Sequence, residues 1–467
     1  MLASSMIGTT VEWYDFFLYS TASSLVFGPL FFPAGNDVVG TMLSFATFFV
    51  GFIARPVGAV LFGHIGDRLG RKRTLVATML IMGVATALVG LLPTYAQAGV
   101  VAPILLVVLR VLQGLAIGGE WAGAVLLAVE YAPVGRRGWY GSWPQVGLGI
   151  GLALGTGLFA LLGRLMDEEQ FLSYGWRAAF LLSIVLVVVG LLVRLRVEET
   201  PEFERMRAGA TSRDVVPFVE LFRDRASRRH VVLGLLARWG DGVAFNTWAV
   251  FALTYCTTTL GLDRTPVLIA VTAGAALMAA LIPVMGRVAD RYGARTGYLA
   301  GMVLFGLSVY PAFLGFQTKE PIVVGTVLVL TLGVAYAVSY APEGTLFAQL
   351  FPTRTRYTGM SFVYQFSGIY ASGLTPMLVT ALVAAGGGGI GWVCAYLVAV
   401  AVVSAGATAA IRRRDLHLTG SRDDDCRAPA RRPHVDARRR TERHGRRPSG
   451  PWRAHRSLPA LGHPVGC

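Results

Sequence analysis

Nine polar side chains interrupt long apolar stretches of this chain: Glu12, Asp15, Arg110, Gln113, Glu120, Arg238, Asp241, Asn246 and Glu343. A charge at that depth in an apolar span costs about 3 kcal/mol on insertion scales, so it persists where it pairs, lines a cavity, or handles an ion or solute. Glu12 and Asp15 are three apart and share a helix face, as do Arg238 and Asp241. Measured from residue 99, Arg110 lies about 16 Å and Glu120 about 30 Å along a helix axis. Gly118 and Gly119 precede Glu120 and leave room for a neighbouring helix or a ligand. These residue types suit a polar cavity. Arg110 would supply fixed positive charge, and a desolvated carboxylate can carry a proton near neutral pH. Asp15 and Glu120 are the first choices for that carrier, and Glu12 is the next. The plainer alternative is a permanent salt bridge between Arg110 and a carboxylate. In the second set, Arg238 and Asp241 form either an internal pair or a ligand site. Asn246 bonds either solute or neighbouring backbone. Pro342, beside Glu343, is expected to bend its helix and expose carbonyls. Tyr336, Tyr340, Tyr364, Phe366 and Tyr370 form either an aromatic wall suited to betaine-like cations or ordinary helix packing.

The elements that must position these groups follow from composition. Of 467 residues, 54% are hydrophobic and 15% charged, with mean hydropathy +0.57; soluble domains carry about 25% charged residues. Apolar stretches of about 20 residues, enough to cross a hydrocarbon core, recur along the chain. Twelve spans are predicted, at 5–32, 39–65, 74–95, 99–131, 138–163, 176–197, 229–258, 265–286, 297–316, 321–350, 357–384 and 390–411. The first is read as a retained span rather than a cleaved signal. The expected fold is all-α and polytopic, with twelve transmembrane helices in two pseudo-symmetric bundles. Residues 1–197 and 229–411 form the bundles, and 198–228 a charged cytoplasmic loop between them. One set of short loops holds eleven Lys and Arg and the opposite set only four. The basic side is therefore expected in the cytoplasm, with both termini.

Two internal repeats support the halves. GHIGDRLGRKR at 63–73 recurs as GRVADRYGART at 286–296, so Asp67, Arg68 and Gly70 match Asp290, Arg291 and Gly293, 223 positions on. Glu130, Pro133, Arg137 and Ser142 match Gln349, Pro352, Arg356 and Ser361, displaced by 219. Parallel six-span halves are the organisation of one large class of secondary transporters. Asp67 and Arg68 are expected in a tight turn permitted by Gly66 and Gly70. With Arg71, Glu130, Arg137, Asp290, Arg291 and Arg356 they compose a cytoplasmic gate whose charges pair in one state and part in the other. The first copy keeps Arg71 and Glu130, where the second has Ala294 and Gln349, so the first-half gate is expected to be the stronger latch.

On these motifs the chain resembles the major facilitator superfamily, and more narrowly its metabolite:proton symporter family. The resembling stretches are GTTVEWYDFFLY (8–19), GFIARPVGAVLFGHIGDRLGRKR (51–73), LRVLQGLAIGGEWAGAV (109–125), VEETPEF (197–203) and LFPTRTRYTGMSFVYQ (350–365). The resemblance implies the gate role for GDRLGRKR and a carrier of organic acids, shikimate, proline or betaine. Two departures stand out. Relatives usually have Glu where this chain has Gln349, which would leave Arg356 without its usual partner. Relatives also carry a longer basic segment before the first span, so the true start is expected upstream.

Residues 412–467 hold 15 Arg, five Asp and one Glu, a net of +9, with few apolar residues. Such a segment is expected to be disordered. It is either a polybasic strip on anionic lipid or an out-of-frame translation of a GC-rich gene end; nucleic-acid binding is disfavoured for a membrane-tethered end. The four cysteines show neither a disulfide framework nor ligand spacing. Without a phosphate loop, metal constellation or nucleophile elbow, an enzyme and ATP drive are both disfavoured. The reading is a monomeric plasma-membrane carrier importing a small polar metabolite, an organic acid, by proton symport. The proton is its coupling ion, and no cofactor is expected. The alternatives are a proton-coupled exporter and an osmolyte symporter.

Overall fold

Apolar runs of about 20 residues satisfy their own backbone only as helices when surrounded by lipid, and the chain obeys this throughout. The computed structural model describes residues 2–33, 37–69, 71–118, 120–195, 221–223, 225–353 and 355–417, and no strand occurs among them. They lie in one compact unit, Met1–Gly420; the second unit, Ser421–Cys467, is outside the described residues. Most of the expected central loop is also outside them.

Among the described residues twelve long helices follow in order. The first six are α1 (Leu2–Leu25), α2 (Asp37–Leu69), α3 (Arg71–Leu91), α4 in two pieces (Val101–Ile117 and Glu120–Glu130), α5 (Arg137–Leu165) and α6 (Trp176–Leu195). The second six are α7 (Arg225–Asn246), α8 (Arg264–Tyr292), α9 (Ala294–Gln317), α10 (Pro321–Leu350), α11 (Arg356–Ala385) and α12 (Gly391–Ala410). Among the described residues nine helices are long and apolar enough to span, and Val76–Leu91 of α3 is a shorter apolar one. Helices α1 and α7, with 24 and 22 residues, are long enough at about 36 and 33 Å. They fall short in hydropathy because they carry Glu12, Asp15, Arg238 and Asp241, which are buried against protein.

Three differences from the expected elements have local causes. Asp67 and Arg68 continue α2, which stays helical to Leu69 rather than turning at Gly66. In the second copy the turn falls at Gly293, whose φ of 93° lets α8 pass to α9 through a single residue. Pro342 lies inside a continuous helical segment, Tyr336–Leu350, and the irregularity lies one turn earlier, in a π-helical stretch at Val329–Ala335. Similar wide turns occur at Thr247–Phe251 after α7's Asn246 and at Gly368–Gly373 within α11; such bulges concentrate at functional sites. Finally, the first residues of the expected disordered tail are ordered. Arg413–Asp415 form a short 3-10 turn, and Asp415 pairs with Arg229 at 2.8 Å. His417 N–H donates to the Gln349 carbonyl at 2.7 Å.

Close packing sets the helix rotations that matter. Gly114 and Gly118 of α4 press on the α2 backbone at Gly51 and Arg55, where any Cβ would collide. Small residues allow this approach in lipid, where dispersion and geometry rather than water drive association. Between the halves, α5 and α8 run together, with Gly149 against Ala279 and Thr156 Oγ1 2.9 Å from Thr272 Oγ1.

Candidate functional site: a closed cavity with buried charges

The cavity lies between the halves. It is lined by Trp13 and Phe16 of α1, Phe52 and Arg55 of α2, and Leu148 of α5. From the second half it is lined by Arg238, Phe245 and Asn246 of α7, Tyr336 of α10, and Tyr364, Gly368 and Ser372 of α11. Its free volume is only about 20 Å³, room for about one water molecule. A space of that size admits no organic solute as it stands.

In the second half, Arg238 is held by two carboxylates. Its Nε lies 2.5 Å from Glu343 Oε1 and its Nη1 3.1 Å from Asp241 Oδ2. Asp241 also accepts from the Tyr336 hydroxyl at 3.0 Å and the Ser339 hydroxyl at 3.1 Å. The guanidinium stands 4.6 Å over the Tyr364 ring, which stacks on Trp121 at 3.7 Å. Asn246 Nδ2 donates to the Gly242 carbonyl at 2.9 Å, while its buried Oδ1 has no partner. Of the aromatic residues, Tyr336 and Tyr364 both line the cavity and pack on this triad, Phe366 is exposed and stacks on Phe362, and Tyr370 donates to the Leu235 carbonyl at 2.8 Å.

The first half is arranged differently. Arg110 pairs with no carboxylate; its Nη1 donates to Gln113 Oε1 at 3.2 Å, and Gln113 Nε2 donates to the Thr86 hydroxyl at 2.9 Å. Aromatic rings enclose it, with Tyr19 at 4.2 Å and Phe16 at 4.9 Å. Asp15 is 1% exposed. Neither of its oxygens meets a donor in good geometry, although the Thr86 hydroxyl lies beside it. The plainer alternative, a permanent bridge between Arg110 and a carboxylate, does not occur among the described residues. Nor does Arg110 line the cavity, because α4 turns it toward Gly51 and the α1 rings.

The cation that the first half presents to the cavity is Arg55, which the sequence reading passed over. It is 3% exposed and lies 4.6 Å over Phe16 and 4.2 Å over Phe52. Its Nη2 has no hydrogen-bond partner, and Glu12 is a nearby counter-charge. Its signal was available: an arginine before Pro56, inside an apolar run. Among the described residues, Glu12, Asp15, Asp241 and Glu343 are buried carboxylates in the span interiors, and Arg55, Arg110 and Arg238 are buried arginines there. Glu120 opens the second piece of α4, and its side chain is outside the described set.

At the basic end the halves are latched together. Asp290 accepts from the backbone N–H of Gly138 at 2.5 Å and of Trp139 at 2.9 Å, so its carboxylate sits on the N-terminus of α5. That is the favourable end of the helix dipole for an anion. Arg356 Nη1 pairs with Glu130 Oε1 at 3.0 Å. Gln349 therefore does not leave Arg356 without a partner: the carboxylate comes from the other half. Arg356 also donates to the Phe351 carbonyl and the Thr353 hydroxyl, each at 3.2 Å. The Arg137 carbonyl accepts from the Thr345 hydroxyl at 3.2 Å, and Arg291 lies 5.6 Å over Tyr292. The side chains of Asp67, Arg68 and Arg71, and all of Gly70, are outside the described residues; the described latch joins Asp290 and Arg356 of the second copies to the α5 N-terminus and Glu130 of the first half. At the opposite end, Arg264 lies 4.1 Å over Phe171 and 3.7 Å from Glu168.

This architecture has known counterparts. Residues 1–216 match the family described as Sugar (and other) transporter, and 232–462 match Major Facilitator Superfamily. The chain is 40% identical over 408 residues to the inner membrane metabolite transport protein YhjE of Escherichia coli (strain K12), covering 86% of this chain and 91% of that one. It is 39% identical over 402 residues to the shikimate transporter of the same organism, again covering 86% and 91%. The crystal structure of a D-xylose-proton symporter superposes with a TM-score of 0.69 at 20% identity, covering 87% of this chain and 96% of that one. The latter likeness speaks for the fold alone. With twelve helices in two halves around a closed central cavity, and with relatives matched over nearly their whole length, the chain belongs to the major facilitator superfamily as one of its multi-pass metabolite transporters, which are not enzymes.

Proposed function

We propose that the protein imports a small organic acid by proton symport, alternating access between two sides of a bacterial plasma membrane, as a monomer with both termini in the cytoplasm. The observation that carries this reading is Asp15, 1% exposed within α1, neither of whose carboxylate oxygens meets a donor in good geometry. An unmatched carboxylate out of water is costly, and accepting a proton removes the cost. An organic anion entering beside Arg55 would then arrive together with that proton. Asp15 is the best-placed acceptor, since Asp241 and Glu343 are committed to Arg238. The loop charges support the orientation, placing the Asp290 and Glu130–Arg356 latches on the cytoplasmic side. In the described state those latches hold that side shut.

Uptake into proteoliposomes under an imposed pH gradient tests the reading. With shikimate and 2-oxoglutarate as trial solutes, accumulation of at least one, beyond that in protein-free liposomes, should follow an inside-alkaline gradient and collapse with a protonophore. Accumulation indifferent to the gradient would exclude symport. Solute expelled against an opposing proton flow would replace import by antiport.

A further inference from the structure

Three buried arginines are available to a solute in principle, and the geometry separates them. Arg238 is ion-paired with both Asp241 and Glu343. Arg110 is engaged with Gln113 and lies off the cavity. Arg55 lines the cavity, stands in none of the described ion pairs, and keeps a donor, Nη2, that bonds nothing; Arg238 also lines it, but its charge is already matched by two carboxylates. Phe16 and Phe52 hold its guanidinium between them, and Phe52 is itself seated against Gly368 and Gly373 of α11, where a Cβ would approach its ring to 3.3 and 2.8 Å. Across the cavity, on the other half, the buried Asn246 Oδ1 is an acceptor without a donor. Both groups are nine-tenths buried or more. An unsatisfied buried donor on one wall and acceptor on the other are each costly, and a bridging solute would recover that cost.

We propose that Arg55 binds the solute's carboxylate and Asn246 accepts from a hydroxyl of the same solute, so that the cargo is a compact hydroxylated monocarboxylate. This rests on the organic-acid reading above and narrows it. One guanidinium with a free Nη2 fits one carboxylate through a charge-assisted hydrogen bond. The body of the solute would lie on Leu148 and Phe245. Because Arg55 and Asn246 belong to different halves, the bound solute joins the halves, and closure around it forms both contacts at once. The same geometry opposes a quaternary ammonium cargo. Its ring partners are already in use: Phe16 and Phe52 carry Arg55, and Tyr364 carries Arg238 and stacks on Trp121. A further cation there would meet two guanidinium groups.

The test is equilibrium binding to the purified full chain in lipid nanodiscs, with shikimate, benzoate, 2-oxoglutarate and glycine betaine as probes. Shikimate should bind at least ten-fold more tightly than 2-oxoglutarate or glycine betaine. Arg55→Gln should weaken shikimate and benzoate alike by ten-fold or more, and Arg55→Lys by less. Asn246→Ala should weaken shikimate several-fold and leave benzoate, which has no hydroxyl, unchanged. That split is one a merely structural role would not produce. If Arg55→Gln does not fold, the Lys variant and the Asn246→Ala split still decide. Carboxylate binding unmoved by Arg55→Gln and Arg55→Lys, or a loss common to both probes in Asn246→Ala, overturns the proposal and leaves proton-coupled acid import standing. Preference for 2-oxoglutarate over shikimate overturns the monocarboxylate assignment alone. Binding of glycine betaine alone, or of none of the four, overturns the organic-acid reading together with it.

Discussion

The two halves each bury an arginine with carboxylates close in sequence or space, yet they use them in opposite ways. In the second half, Arg238 is clamped between Glu343 at 2.5 Å and Asp241 at 3.1 Å, and Tyr336 and Ser339 satisfy Asp241 further. In the first half, Arg110 and Asp15 remain apart: one bonds an amide, and the other finds no donor in good geometry. A clamped triad resists change of charge, because altering one member strands the others in low dielectric. A loosely held carboxylate beside a hydroxyl is free to gain or lose a proton with little rearrangement. Under the proposed symport, rigidity belongs to the second half and proton exchange to the first.

Removing the two arginines should break the comparison most visibly. Arg238→Met leaves two buried carboxylates uncompensated and should cost about 3–5 kcal/mol, seen as a large fall in melting temperature or loss of the folded peak on size exclusion. Arg110→Met removes one amide contact and should cost about 1–3 kcal/mol; equal losses would erase the distinction. Next, Asp15→Asn should abolish gradient-driven accumulation by ten-fold or more while solute counterflow persists, because exchange needs no net proton movement. Asp241→Asn should impair both. If Asp15→Asn still accumulates solute against its gradient, the proton site lies elsewhere, with Glu12 and Glu120 the remaining candidates of the first half.

A smaller effect is expected at the latch. The Glu130 carboxylate is partly exposed, at 42%, so its pair with Arg356 is screened and worth no more than about 1 kcal/mol. Glu130→Gln should raise the accessibility to alkylation of a cysteine placed at Thr345 a few-fold without changing solute affinity. The smallest effect belongs to Asp415. Burial pushes its carboxyl up, but the Arg412 N–H and the Arg229 guanidinium outweigh this and hold it below the usual carboxylate range. Its contribution is thus present above the ordinary carboxylate pKa and fades as pH falls through the lowered one. Asp415→Asn should lower the melting temperature by a degree or so near pH 7, with the difference vanishing in strong acid.

Much of the fold was legible in the residues. Each predicted span overlaps an observed helix, since continuous apolar length is a local property and lipid leaves the backbone no other solution. The displaced repeats located Asp290, Glu130 and Arg356, and the structure brings these to one end. The partners were not legible. Gln349 suggested a deficit within the second half, but Arg356 takes its carboxylate from Glu130, 226 residues away. The tail's composition suggested disorder from residue 412, yet Arg229 draws Asp415 back onto α7. Arg55 and Arg110 look alike in the chain, each alone in an apolar run.

The sequence by itself thus determined the helices, their number, the class of protein and the inventory of buried charge. Tertiary structure alone decided which charges meet. Glycine-to-backbone contacts between α2 and α4 turn Arg55 toward the cavity and Arg110 away from it. A rotation of about 100° per residue separates facing from averted positions on a helix, and that angle is fixed by packing against neighbours.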